Sequence, residues 1–164
     1  MTSFRNKILF PRNISVSGVA CVSLIALVFT LKGCTLERPT VVTVEGGNPP
    51  TFKLKGSGRQ DFLLVRVLSP QEIADPKIRP VETEELWELR PKGPGEQPPA
   101  DDWPTITYGT VPPDFVQTIP SSGKPKPLQE GKTYEAGGSA SGANGGSVWF
   151  KIENGQPKEI PKKD

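Results

Sequence analysis

No histidine occurs among the 164 residues, which removes Ser-His-Asp and Cys-His machinery and the usual general base near neutral pH. Zinc catalysis needs clusters of His, Cys or carboxylate, and only two cysteines are present. Carboxylates are therefore the groups left to do acid–base work. Glu82, Glu84, Glu85 and Glu88 lie close enough in sequence to contain a pair for glycoside hydrolysis. The same spacing also describes one charged, solvent-facing strip. Asp101-Asp102 offers adjacent oxygens to a calcium ion but lacks the spaced ligands of a calcium loop. Gly131-Lys132-Thr133 ends like a phosphate-binding loop, yet Lys126 stands where the first glycine is required, and Pro125 follows Ser122-Gly123-Lys124 where Ser or Thr is needed. Both read as turns. No catalytic residue, metal site or cofactor is expected.

Aromatic groups offer binding instead of turnover. Trp87, Trp103 and Trp149 are the candidate ligand-binding residues. Exposed together, they would stack on sugar rings or a peptide; buried, they would serve as packing.

The N-terminal third concerns address. Arg5, Lys7 and Arg12 precede an uncharged, largely apolar run from Ile14 to Leu31, and no carboxylate appears before Glu37. Leading cations followed by such a run predict a cytoplasmic N-terminus and export of everything after Leu31. The run is near the lower limit for a spanning helix and longer than a usual signal core. Its end, Leu31-Lys32-Gly33-Cys34, resembles the lipobox of bacterial lipoproteins, with Leu31, Gly33 and Cys34 in the motif's positions and Lys32 where a small uncharged residue is usual. That resemblance implies diacylation of the Cys34 thiol and cleavage before it, with sorting to the outer membrane because Thr35 and not Asp follows. The alternative is an uncleaved signal anchor over 14–31. Either way residues 34–164 face out of the cytoplasm, in a bacterial cell envelope, held by lipid at Cys34 or by the 14–31 helix.

The elements behind these residues are short. The chain carries 20 basic and 18 acidic residues, but the basic excess sits in the leader, so the exported part is slightly acidic and offers no stripe for nucleic acid. Without paired cysteines in that part, stability must come from packing. Nineteen prolines and 17 glycines interleaved with apolar runs predict many short strands joined by turns. Strands are expected at Thr40–Val44, Thr51–Lys55, Phe62–Leu68, within Glu82–Arg90, at Thr105–Tyr108, Phe115–Ile119 and Ser147–Ile152. Phe62–Leu68 reads as central, buried on both faces except at Arg66. Ser69–Pro80 reads as a long connection and Gly137–Gly146 as a mobile hairpin loop.

Leu128-Gln129-Glu130-Gly131-Lys132-Thr133-Tyr134 resembles the turn into the penultimate strand of fibronectin type III and related immunoglobulin-like domains. The resemblance rests on Leu128, Gly131 and Tyr134 and implies a tyrosine corner, the ring in the core and the hydroxyl bonded to backbone upstream. The expected fold is all-β: an immunoglobulin-like (fibronectin type III-like) Greek-key sandwich of about seven strands, preceded by an N-terminal signal or transmembrane helix. A small barrel is the alternative. The expected organisation is a signal peptide or anchor over 1–33, a tether over 34–39, the sandwich over 40–155 and a disordered tail over 156–164. The function that follows is a non-enzymatic interaction or structural module of the envelope with a protein partner. A carbohydrate- or peptidoglycan-binding module using exposed Trp is the second reading, and a carboxylate-only hydrolase the third.

Overall fold

A computed structural model of the chain describes residues 38–78, 82–93, 97–141 and 143–162. These belong to one compact unit, Glu37–Asp164. The expected anchor, Cys34 and residues 34–37 of the expected tether lie outside the described residues.

Among the described residues, nine strands form two antiparallel sheets. The first contains β1 (Val41–Glu45), β2 (Thr51–Lys55) and the short β5 (Ile106–Thr107), in the order β1-β2-β5. The second contains β3 (Arg59–Val67), β4 (Glu85–Pro91), β6 (Phe115–Ile119), β7 (Thr133–Ser141), β8 (Ala143–Glu153) and β9 (Gln156–Ile160), in the order β6-β4-β3-β7-β8-β9. The β-branched run of β1 pairs with alternating β2 in the register Val42↔Leu54 and Val44↔Phe52. Phe52 and Leu54 thus point inward while Lys53 and Lys55 face solvent, the period-2 pattern of a half-buried strand. Each sheet contributes such a face to one core, and the Phe52 ring of the first sheet lies 5.7 Å from the Phe150 ring of the second. Trp87, Tyr134, Leu63, Val65, Leu89 and Ile106 fill the space between them. Two facing sheets, not a closed barrel, result.

Several expectations are corrected. Phe62–Leu68 is central but not buried on both faces: Leu63 and Val65 are fully buried, whereas Phe62, Leu64 and Arg66 are half-buried on the outer side. The connection after β3 holds a short helix, α1 (Pro70–Ala74). Ser69 caps it, accepting from the Glu72 N–H, while the Glu72 carboxylate accepts from the Ser69 N–H at 2.9 Å. That reciprocal pair, with Pro70 at the first turn, lets a five-residue helix stand.

The described residues of the Gly137–Gly146 segment are not a loop but belong to the paired strands β7 and β8. Its glycines are needed where other chain segments press close. A Cβ on Gly146 would collide with the Thr40 carbonyl at the start of β1, and one on Gly138 would lie 2.8 Å from Gln60 Oε1. Residues 156–160 are likewise not a frayed tail. Asn154 and Gly155 both adopt left-handed backbone, φ 55° and 72°, the geometry of the tight turn that Asn-Gly favours. The Glu130 carboxylate accepts from both of their N–H groups, and β9 pairs with β8 from Gln156 to Ile160.

At the other end of β1, Arg38 is docked and not free tether. Arg38 N–H donates to Ser57 Oγ at 2.6 Å, and its guanidinium meets Asp101 at 2.5 Å. Thr40 Oγ1 accepts from the buried Gln60 amide.

Candidate functional site

The outer face of the six-stranded sheet carries the densest cluster of functional groups among the described residues. Strand alternation sends Phe62, Leu64 and Arg66 of β3 outward, and the registers Arg66↔Glu135 and Glu135↔Trp149 place these three side by side. Helix α1 adds Glu72 from one side, and Lys162, just past β9, folds back from the other.

Arg66 organises the cluster. Its Nε and Nη2 donate to Glu135 Oε2 at 2.9 and 2.6 Å, and its Nη1 donates to Glu72 Oε1 at 2.6 Å. Glu135 Oε1 accepts from Ser147 Oγ at 2.6 Å, from Trp149 Nε1 at 3.3 Å and from Lys162 Nζ at 3.4 Å. The Lys162 ammonium also sits 5.5 Å from the Trp149 ring centre, a cation–π contact. Burial alone would push the Glu135 carboxyl up. Hydrogen bonds from Ser147 and Arg66 and the charges of Arg66 and Lys162 outweigh burial and hold it below the usual carboxylate range. For Glu72 burial again acts upward, and the bonds from Ser69 and Arg66 overcome it. The cluster is thus two cations and two carboxylates held in the ionised form, which neutralise one another.

Two open cavities flank the cluster and share Arg66 and Glu135. One, of about 310 Å³, is walled by Phe62, Leu64 and Ser147 over a floor that includes Gly137. The other, of about 410 Å³, is walled by Glu72, Ile78, Thr83, Trp149 and Lys162.

The three tryptophans are not exposed together. Trp87 is fully buried, its Nε1 donating to Gln117 Oε1 at 3.0 Å and its ring 5.2 Å from Tyr108. Trp103 packs edge-on against Phe115 at 4.6 Å, and its Nε1 is buried without a hydrogen-bond partner among the described residues. Both belong to the core between the sheets. Trp149 points to the opposite face, as its alternation with Val148 and Phe150 predicts, but is only 5% exposed under its ionic cover. A sugar-stacking platform of three indoles is therefore not formed.

Leu128, Gly131 and Tyr134 do come together. Gly131 takes the positive φ of a turn (77°), and Leu128 packs on the core. The Tyr134 hydroxyl accepts from the Gln129 N–H at 2.7 Å while its ring lies 5.5 Å from Phe150. Three of the other acidic candidates, Glu84, Glu88 and Asp101, are engaged locally. Glu84 pairs with Lys126 at 2.8 Å and Glu88 with Arg90 at 2.5 Å. Asp101 accepts from the Gly56 N–H at 3.0 Å and meets Arg38, and both hold its carboxyl low.

Sequence reasoning marked Arg66 only as an exception in an apolar run and missed Glu72, Glu135 and Lys162 as its partners. The Ser69-Pro70-Gln71-Glu72 string is a capping box and would have located Glu72. Nothing local announces Glu135 or Lys162, because strand register brings them in. No protein-family model matches the chain, and no curated protein or solved structure matches it.

Proposed function

We propose that the chain is an exported, membrane-held protein whose 38–162 domain is a non-enzymatic interaction or structural module of the bacterial envelope. Leader cations, the apolar run and Cys34 support the anchor, as acylated cysteine or as uncleaved 14–31 helix. For the domain, an immunoglobulin-like sandwich of the fibronectin type III kind is the finer reading. The three-strand order β1-β2-β5 corresponds to strands A, B and E of such domains, and the neighbours β3-β7-β8 to C, F and G. Tyr134 then sits near the start of the F-like strand with its hydroxyl on the upstream Gln129 backbone, as a tyrosine corner requires.

One observation carries the non-enzymatic reading. Glu72, Glu84, Asp101, Glu135 and Glu153 are each held below the ordinary carboxylate range by donors or cations. A hydrolase built from carboxylates needs at least one acid pushed the other way, kept protonated to protonate the leaving group. The full chain in detergent, incubated with a panel of envelope glycans, is expected to release no new reducing ends. Release that Glu84→Gln or Glu85→Gln abolishes would establish the hydrolase instead.

A further inference from the structure

The end of the sandwich opposite Arg38 carries a ring-lined pair of pockets that shares no lining residue with the ion cluster. There the 46–50 loop, the segments flanking β6 and the Asn154-Gly155 turn converge. A cavity of about 450 Å³ is lined by Pro49, Pro50, Tyr108, Leu128 and Glu130. A second, of about 310 Å³, shares Pro49, Tyr108 and Pro127 with it and adds Lys124 and Pro125. The two are neighbours with a common wall.

Its walls are unusually stiff. Proline rings have no rotamers to lose, and Tyr108 is fixed at both ends, its ring against Trp87 and its hydroxyl donating to the Lys126 carbonyl at 2.8 Å. A rigid apolar pocket binds without first being ordered, which lowers the cost of association. The larger cavity has the size for an indole or phenol ring. Its one charged wall group, Glu130, is fixed by its bonds to the Asn154 and Gly155 N–H groups and is an acceptor for an incoming N–H or O–H. The smaller cavity ends at the exposed Lys124 ammonium, whereas its neighbour Lys126 is occupied by Glu84.

An acceptor beside the ring pocket and a cation lining the next cavity are complementary to a ligand that pairs an aromatic N–H or O–H donor with an anion. We propose that this surface binds an extended peptide segment in which a tryptophan or tyrosine is followed directly by an acidic residue. The aromatic ring fills the larger cavity with its N–H or O–H donating to Glu130, and the adjoining carboxylate meets Lys124. This names the partner of the interaction module inferred above and rests on that reading.

The test uses the full chain, ¹⁵N-labelled in detergent micelles, titrated with the blocked peptide glycine-serine-tryptophan-glutamate-glycine. Saturable shifts at the Tyr108, Leu128 and Gly155 amides are expected. Alanine in place of the tryptophan should abolish them. Lys124→Glu, a surface change that leaves the core untouched, should weaken binding about threefold, as a single exposed ion pair does. The same variant should come to prefer a peptide with lysine in place of the glutamate. No saturable shift, an unchanged peptide preference in Lys124→Glu, or shifts at these amides from chitin oligomers but not from the peptide would overturn the proposal. Those outcomes leave the non-enzymatic reading standing. Cleavage of the bound peptide would instead sink that reading while keeping the pocket.

Discussion

The two faces of the six-stranded sheet each bury a tryptophan, by opposite means. On the inner face Trp87 is enclosed by carbon: Leu63, Val65, Leu89 and the rings of Tyr108 and Tyr134 share its cluster. On the outer face Trp149 is enclosed by charge, under Lys162 and against Glu135, which Arg66 and Glu72 complete. Hydrophobic burial is indifferent to pH and needs only shape. An ionic cover works only while its carboxylates stay ionised and its cations stay in reach. The first face should therefore set most of the stability, and the second should make it conditional.

The largest effect that separates the faces is expected from Trp87→Ala. Removing a fully buried indole should cost about 3–5 kcal/mol by urea denaturation, with the same loss at pH 7 and pH 4. Glu135→Ala should cost about 2–3 kcal/mol at pH 7, because Arg66, Ser147 and Trp149 lose a shared acceptor. This loss should shrink on acidification. The sign follows from direction: Glu72 and Glu135 are held below their ordinary values, so their contribution is complete above the ordinary carboxylate range and disappears as pH falls through the folded-state values. Stability of the unaltered chain should thus drop between about pH 5 and pH 3, less steeply in Glu135→Ala. Parallel curves for the two proteins would mean that the outer cluster is ornamental.

Tyr134→Phe keeps the ring and removes only the hydroxyl that the Gln129 N–H uses, so a loss of about 1–2 kcal/mol in thermal or urea unfolding is expected. An unchanged midpoint would remove the best support for the immunoglobulin-like reading. The smallest effect belongs to Lys162→Ala, about 0.5 kcal/mol, since this cation is part-exposed. It should nevertheless raise acrylamide quenching of Trp149 fluorescence, which Trp87→Ala makes easier to isolate.

The same contrast explains what could be seen in the sequence. The inner face was legible because burial writes a period: Phe52 with Leu54, and Val148 with Phe150 and Ile152, fall where alternation puts them. The Leu128, Gly131 and Tyr134 turn was legible because a local geometry demands fixed residue types. The outer cluster was not, since Arg66, Glu72, Glu135 and Lys162 meet only through strand register and leave no local trace beyond the Ser69 cap. Two misreadings came from treating composition as conformation. Glycines at 137, 138 and 146 suggested a loop, yet Gly138 and Gly146 sit where Gln60 and Thr40 press against the strands. The polar Gln156–Ile160 stretch suggested fraying, although Asn154-Gly155 before it is a strong hairpin signal. The tryptophans left binding and packing both open for a simpler reason: type alone does not say which side of a sheet is covered.

The proposed function turns on whether this domain is held at a membrane. The most direct test is the mass of the N-terminal peptide of the mature protein isolated from its own membranes. The account predicts Cys34 carrying diacylglycerol and an N-acyl chain, or an intact end at Met1 or Thr2 that retains the 14–31 segment. An unmodified N-terminus beyond Cys34 would contradict it, because the domain would then be released and not anchored.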